Sequence, residues 1–212
     1  MCFARLTPCA PAAVLCFVKW IIPAAIVVVV AIVVSVLLLP KRGPTDGVVL
    51  IIRHAEKPDT GGGLSKKGME RADAYAKFFS DYKISAQPLH LSAIFSTADS
   101  AESQRPRVTV QPLASSLRLP IDSQFKRNGT SGLADELRSN YDGKQVLVCW
   151  HHGGIPDVLR SLGADPKEFL PDGEWPDGVF NWVLQLRFDQ EGRVVRTDSR
   201  RVTAHMLPGD SR

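Results

Sequence analysis

Two different apolar patterns divide this chain. From Trp20 to Leu39, "WIIPAAIVVVVAIVVSVLLL" runs without a charge and is followed at once by Pro40, Lys41 and Arg42. At about 1.5 Å per residue, roughly 20 residues span a hydrocarbon core of about 30 Å. Valine and isoleucine are weak helix formers in water, but in lipid the backbone must bond to itself. A cleavable signal peptide has a shorter apolar core and a small-residue cleavage site, whereas this run ends in Leu-Leu-Leu-Pro-Lys-Arg, so the pattern predicts an uncleaved transmembrane helix. The expected organisation is a tail (1–19), a transmembrane helix (20–39), a linker (40–46) and a folded domain (47–212).

Within that domain the apolar runs shorten and alternate with amphipathic stretches. "VVLII" (48–52), "LSAIFST" (91–97) and "QVLVCW" (145–150) are β-branched or continuous apolar runs of strand length. Ser65 is placed to cap a helix from Lys66 to about Phe79, with Met69, Ala72, Ala76 and Phe79 along one face. Residues 103–118 predict a helix with Pro106 and Pro112 near turns or its start. A further helix is expected from Ile155 to Leu162, closed by Gly163. "FNWVLQLRF" (180–188) and residues 193–205 suggest paired strands around a turn at 189–192.

Alternating strands and helices predict an α/β fold: a mainly parallel sheet with helices on both faces, preceded by the transmembrane helix. In such sheets ligands bind beyond the carboxyl ends of the strands. Two of the three strong strands end on histidine, one in Arg53-His54 and the other in His151-His152. Parallel neighbours would bring both ends to one rim.

Charge narrows the partners. Residues 1–42 hold Arg5, Lys19, Lys41 and Arg42 and no acid, so they carry the whole net charge of +4, and 22 basic residues balance 22 acidic ones in the rest. A neutral folded part is not that of a general nucleic-acid binder. Positive residues flank both ends of the apolar run, so charge counting assigns the single-pass domain to neither side of the membrane. Cys2, Cys9 and Cys16 precede or enter that run and are open to acylation; Cys149 alone lies in the domain, which therefore has no internal disulfide. Asn128-Gly-Thr is a short glycosylation sequon.

Gly61-Gly62-Gly63 lacks a following Gly-Lys-Ser/Thr and is no nucleotide loop, and no Gly-x-Ser-x-Gly elbow follows a strand. Successive histidines on an extended chain point apart, and no His-x-x-x-His or cysteine pair supports them, so no metal and no cofactor are expected. A phosphate pocket fits better. Arginine donates paired hydrogen bonds to phosphoryl oxygens, and neutral imidazole is a competent nucleophile toward phosphorus.

Four segments, "RHAEKP" (53–58), "LSKKGMERA" (64–72), "RPRVTVQPLASSLRLPI" (105–121) and "VLVCWHHGGIPDVLRSLG" (146–163), together resemble the histidine phosphatase superfamily, also called phosphoglycerate-mutase-like. "RHAEKP" is similar to its Arg-His-Gly/Ala-Glu signature, and "LSKKGMERA" (64–72) to its Leu-Thr-x-x-Gly-x-x-x-Ala segment. "RPRVTVQPLASSLRLPI" (105–121) resembles its second arginine segment, and "VLVCWHHGGIPDVLRSLG" (146–163) the segment of its second histidine. The matches fall in family order over residues 47–188. The resemblance implies His54 as the nucleophile that becomes phosphohistidine, with Arg53, Arg105 and a second histidine holding the phosphoryl oxygens. That histidine is His151 or His152; counting back from Ile155-Pro156 favours His152, with His151 in support. Arg105 is preferred over Arg107, while His90 and His205 have no motif context.

The resemblance implies a metal-independent phosphatase acting on a phosphomonoester, on a small molecule or a phosphoprotein, or on protein phosphohistidine. Larger relatives supply a carboxylate to protonate the leaving group; the candidates here are Asp99, Glu102, Asp122, Asp135, Glu136 or Glu56, or none. Two other readings are a catalytically weak phosphate-binding scaffold and a mutase. Retention of His54 argues against the first, and the lack of a large insertion argues against the second.

Overall fold

The computed structural model describes residues 42–210. The tail and the apolar run expected to cross a membrane lie outside them. Among the described residues no helix is long and apolar enough to do so.

In chain order the elements are β1 (Val48–Arg53), α1 (Lys66–Ser80), β2 (Lys83–Ile84), β3 (Gln87–Pro88), β4 (Leu91–Ser96), α2 (Arg105–Leu117) and β5 (Ile121–Asp122). They continue with α3 (Thr130–Asn140), β6 (Gln145–Trp150), α4 (Ile155–Ser161), β7 (Trp182–Arg187) and β8 (Arg200–Thr203). Six strands form one sheet in the order β5-β4-β6-β1-β7-β8, and β2 pairs with β3 in a separate hairpin. β5, β4, β6 and β1 run parallel, whereas β7 and β8 are antiparallel additions at one side.

The central parallel strands β1 and β6 are buried on both faces, which is why their sequences lack polar alternation. Val49 and Ile51 pack with Val146, Val148 and Trp150 beneath α3 and α4, while Val48, Leu50 and Ile52 pack with Tyr75, Phe79, Val110 and Leu113 of α1 and α2. Period two in the strand thus supplies two cores from one segment.

Ser65 caps α1 as expected, its hydroxyl accepting from the Gly68 amide at 3.0 Å. Met69, expected on the buried face, is 45% exposed, and Arg71 is buried instead. The reason is electrostatic: Arg71 turns inward to meet two carboxylates. In α2 Pro106 occupies the first turn, where a missing N–H costs nothing, while Pro112 lies inside the helix. Helix α3 has no counterpart among the expected elements; its N-cap is Gly129, without a side-chain cap. Of the segment expected as a strand at 193–205, only Arg200–Thr203 forms β8, with Val194 bridging Phe188. In the segment expected as a linker, the Gly43 amide donates to Gly192 and the Thr45 amide to Asp142. That anchors the entry to β1 on the body of the domain.

Candidate active site

Strand register builds the centre of the site. β1 and β6 pair in parallel with Arg53 opposite Trp150, and the His54 amide donates to the Trp150 carbonyl at 3.0 Å. One step further along each strand lie His54 and His151. Their rings meet edge to face, with centroids 5.2 Å apart and planes at 73°.

His54 is only 4% exposed. Its Nδ1 lies 2.7 Å from the Ala55 carbonyl oxygen, which can only accept, so Nδ1 carries the proton and Nε2 keeps its lone pair. Burial is the largest influence on the ring and depresses its pKa to about 3; the bond to Ala55 works upward, while His151, Arg53 and Arg105 push further down. His151 falls to about 4, first through burial and then through the charges of Arg127 and Arg105. Both rings are therefore neutral at physiological pH.

The loop after His54 is held from two sides. The Ala55 amide donates to Thr109 Oγ1 at 2.9 Å, and that hydroxyl in turn donates to the Arg105 carbonyl at 2.8 Å, one helical turn back. The Glu56 carbonyl accepts from the Ser65 amide, and a Cβ on Gly68 would overlap that same carbonyl oxygen. This close approach explains why a glycine stands in the first turn of α1. The Glu56 carboxylate takes three hydrogen bonds from Arg71 at 2.8–3.0 Å, and Arg71 also reaches Asp210 at 2.8 and 3.1 Å.

Arg53 is bound in part by the protein itself. Its Nη1 faces the carbonyls of Pro176, Asp177 and Val179 at 2.6–3.1 Å, and its guanidinium stacks 3.9 Å from the Phe180 ring centroid. Burial draws its pKa down to about 10, against the opposing pull of Asp177. Its Nε, and that of Arg105, are buried with no partner among the described residues. Arg105 donates through Nη1 to the Glu102 carbonyl at 3.3 Å. Arg107 instead pairs with Asp99 at 2.8 Å.

The structure thus brings Arg53, His54, Arg105 and His151 together, and it sets His152 one place aside. The sequence-based preference was for His152 as the second histidine of the phosphoryl pocket with His151 in support; the ring that meets His54 is that of His151. His152 begins a 3₁₀ turn, its Nδ1 lying 3.4 Å from Asp177 Oδ1. The physical reason is the register: the first residue past β6, not the second, lies across from the first residue past β1. Burial and then Arg53 also lower the pKa of His152.

A cavity of about 670 Å³ adjoins this centre, with Arg105 and His151 in its wall. Of the carboxylates considered as proton donors, Asp99 and Glu102 line it. Asp99 is held by Arg107, and a bond from Ser100 keeps Glu102 below its ordinary pKa and hence ionised. Glu56 is engaged by Arg71, Asp122 by Gln124, Asp135 by Arg138 and Glu136 by Asn140. Four contributors have no prominence in the sequence: Thr109, Arg71, Asp210 and Arg127. Only Thr109 left a signal, four residues after Arg105 on the same helix face.

The architecture is found elsewhere. A chain from Escherichia coli described as an alpha-ribazole-5'-P phosphatase is similar with a TM-score of 0.50 and 12% identity, over 77% of this chain and 98% of that one. The fold is a shared one. A phosphoserine phosphatase from Entamoeba histolytica gives a TM-score of 0.48 at 13% identity, over 72% of this chain and 96% of that one. A chain from Agrobacterium tumefaciens described as the phosphohistidine phosphatase SixA gives 0.47 at 19%, over 70% and 95%. Neither the protein-family models nor the curated proteins gave a match.

Proposed function

We propose that this chain is a phosphatase that hydrolyses phosphomonoesters, or protein phosphohistidine, through a phosphohistidine on His54. One observation carries the reading: a buried neutral imidazole with Nε2 free lies beside two guanidinium groups whose buried Nε donors have no partner among the described residues. Buried charged donors are costly to leave unpaired, and a phosphoryl group would satisfy both.

In this reaction the Nε2 lone pair attacks phosphorus and the ester P–O bond breaks, its electrons leaving on the alcohol oxygen. Arg53, Arg105 and His151 hold the phosphoryl oxygens and offset the charge that develops there. The leaving oxygen takes a proton from water. A water molecule then attacks phosphorus, the N–P bond breaks back onto Nε2, and phosphate departs with the proton balance restored to solvent. The bond from Nδ1 to Ala55 keeps the ring oriented and in the tautomer that presents Nε2. No step requires a metal. The apolar run at 20–39 would hold the domain at a membrane.

The test uses the full-length protein with 4-nitrophenyl phosphate in excess chelator, comparing wild type with His54→Ala. Loss of phosphate release in the variant, together with acid-labile, alkali-stable phosphate trapped on wild type, is the expected result. Activity that persists without His54, or that chelator abolishes, overturns the mechanism.

A further inference from the structure

The cavity beside His151 has an uneven set of charges. Asp99, Glu102 and Asp157 line it together with Arg105, Lys126 and Arg127. Two of these acids are already neutralised by cations: Asp99 by Arg107 at 2.8 Å and Asp157 by Arg160 at 2.7 Å. No carboxylate among the described residues pairs with Arg105, Lys126 or Arg127. The wall is therefore cationic in effect although its composition is balanced.

Arg127 is placed rather than scattered. Its Nη2 lies 3.0 Å from where a Cβ would stand on Gly153, so the guanidinium rests close against the main chain that follows the histidines. Its charge is the strongest of those that depress His151 and also acts on His152. Its main chain is fixed by the Trp150 indole, which donates to the Arg127 carbonyl at 3.1 Å. Lys126 immediately precedes it on the same segment. A second, independent sign of a ligand comes from Thr97, another residue of the cavity wall. It is 1% exposed, and its buried hydroxyl has no partner among the described residues.

Arg53 and Arg105 suffice for the phosphoryl oxygens in the reaction above, which leaves Arg127 and Lys126 unassigned. We infer that the cavity receives the alcohol portion of a small phosphomonoester and that this portion carries a second anionic group, a carboxylate or a phosphate, met by Arg127 and Lys126. This inference rests on the phosphatase reading for the position of the first phosphate. The chemistry is that of paired, charge-assisted hydrogen bonds in a partly enclosed space. A neutral alcohol would leave both cations unmatched.

Binding separates this inference from catalysis. The probes are phenyl phosphate and 3-carboxyphenyl phosphate, which differ only in the second anion. Their dissociation constants are measured by titration calorimetry on full-length His54→Ala, which cannot turn them over by the proposed route, and kcat/KM is measured on wild type. The carboxylate-bearing probe is expected to bind about tenfold more tightly. The preference should shrink toward unity when Arg127→Gln and Lys126→Gln are added, and it should weaken with salt. Equal binding of the two probes, or a preference that survives the double substitution, overturns the inference. A preference in binding without turnover by wild type would keep the second anion position and refute the phosphatase reading. Turnover of both probes at equal kcat/KM with equal binding would do the reverse.

Discussion

The rings of His54 and His151 face each other edge to face, 5.2 Å between centroids, because β1 and β6 are paired with Arg53 opposite Trp150. His152 is directed toward Asp177 instead. Adjacent residues with the same side chain thus occupy different environments.

That difference predicts unequal consequences. His151→Ala should lower kcat by about 10²–10³, the scale of losing one donor to developing charge in a dry site. His152→Ala should cost less than about tenfold. Steady-state kinetics on the two variants decides; equal losses, or the opposite order, would show that the strand register does not set the roles.

Protonation provides a second test. With pKa values of about 3 and 4, His54 and His151 stay neutral well below the ordinary imidazole value of about 6.5. Long-range nitrogen–proton NMR on imidazole-labelled protein should find His54 as the Nδ1–H tautomer from pH 8 down to about 5. The linked effect on stability follows in sign. Between about pH 6.5 and 4 the unfolded chain binds protons on these rings that the folded chain refuses, so stability falls as the pH falls. Each ring contributes at most about 1.4 kcal/mol per pH unit over that window. A denaturation midpoint that rose on acidification through this range would contradict the burial argument.

Arg71 should matter for stability beyond any surface pair. Its side chain is 2% exposed and joins Glu56, 12% exposed, to Asp210, 4% exposed. Arg71→Met keeps the volume but leaves two carboxylates with no buried cation between them, a loss of about 3–5 kcal/mol. Asp210→Asn should cost less, since the bond to Glu56 remains. Chemical denaturation measures both, and a Met variant as stable as wild type would refute the account.

Gly68→Ala reverses the usual expectation for a helix. Propensity alone favours alanine by about 1 kcal/mol. Here the added methyl meets the Glu56 carbonyl, in the loop that carries His54, and overpacking of this kind costs about 1–3 kcal/mol. The variant should be less stable than wild type by up to about 2 kcal/mol, the overpacking cost less the propensity gain, and less active. A stabilised variant would show that the approach is looser than the structure places it.

What could be read from the chain alone followed from local physics. The unbroken β-branched runs at 48–52 and 145–150 are legible because a strand buried on both faces has no polar alternation. The Ser65 cap and the first-turn Pro106 are legible because their backbone requirements are local. His54 and Arg53 stood out because they end such a strand. The tertiary structure decided what depends on pairing and on distance along the chain. Which histidine faces His54 is a matter of register between strands nearly a hundred residues apart. Arg71 occupies an α1 position that helical periodicity leaves unmarked, since its partner Asp210 lies 139 residues away. Arg127 comes to lie against Gly153, 26 positions further along the chain, only in the folded domain. A sequence pattern records what each residue needs from its neighbours in the chain; the site also depends on contacts that only the folded sheet brings together.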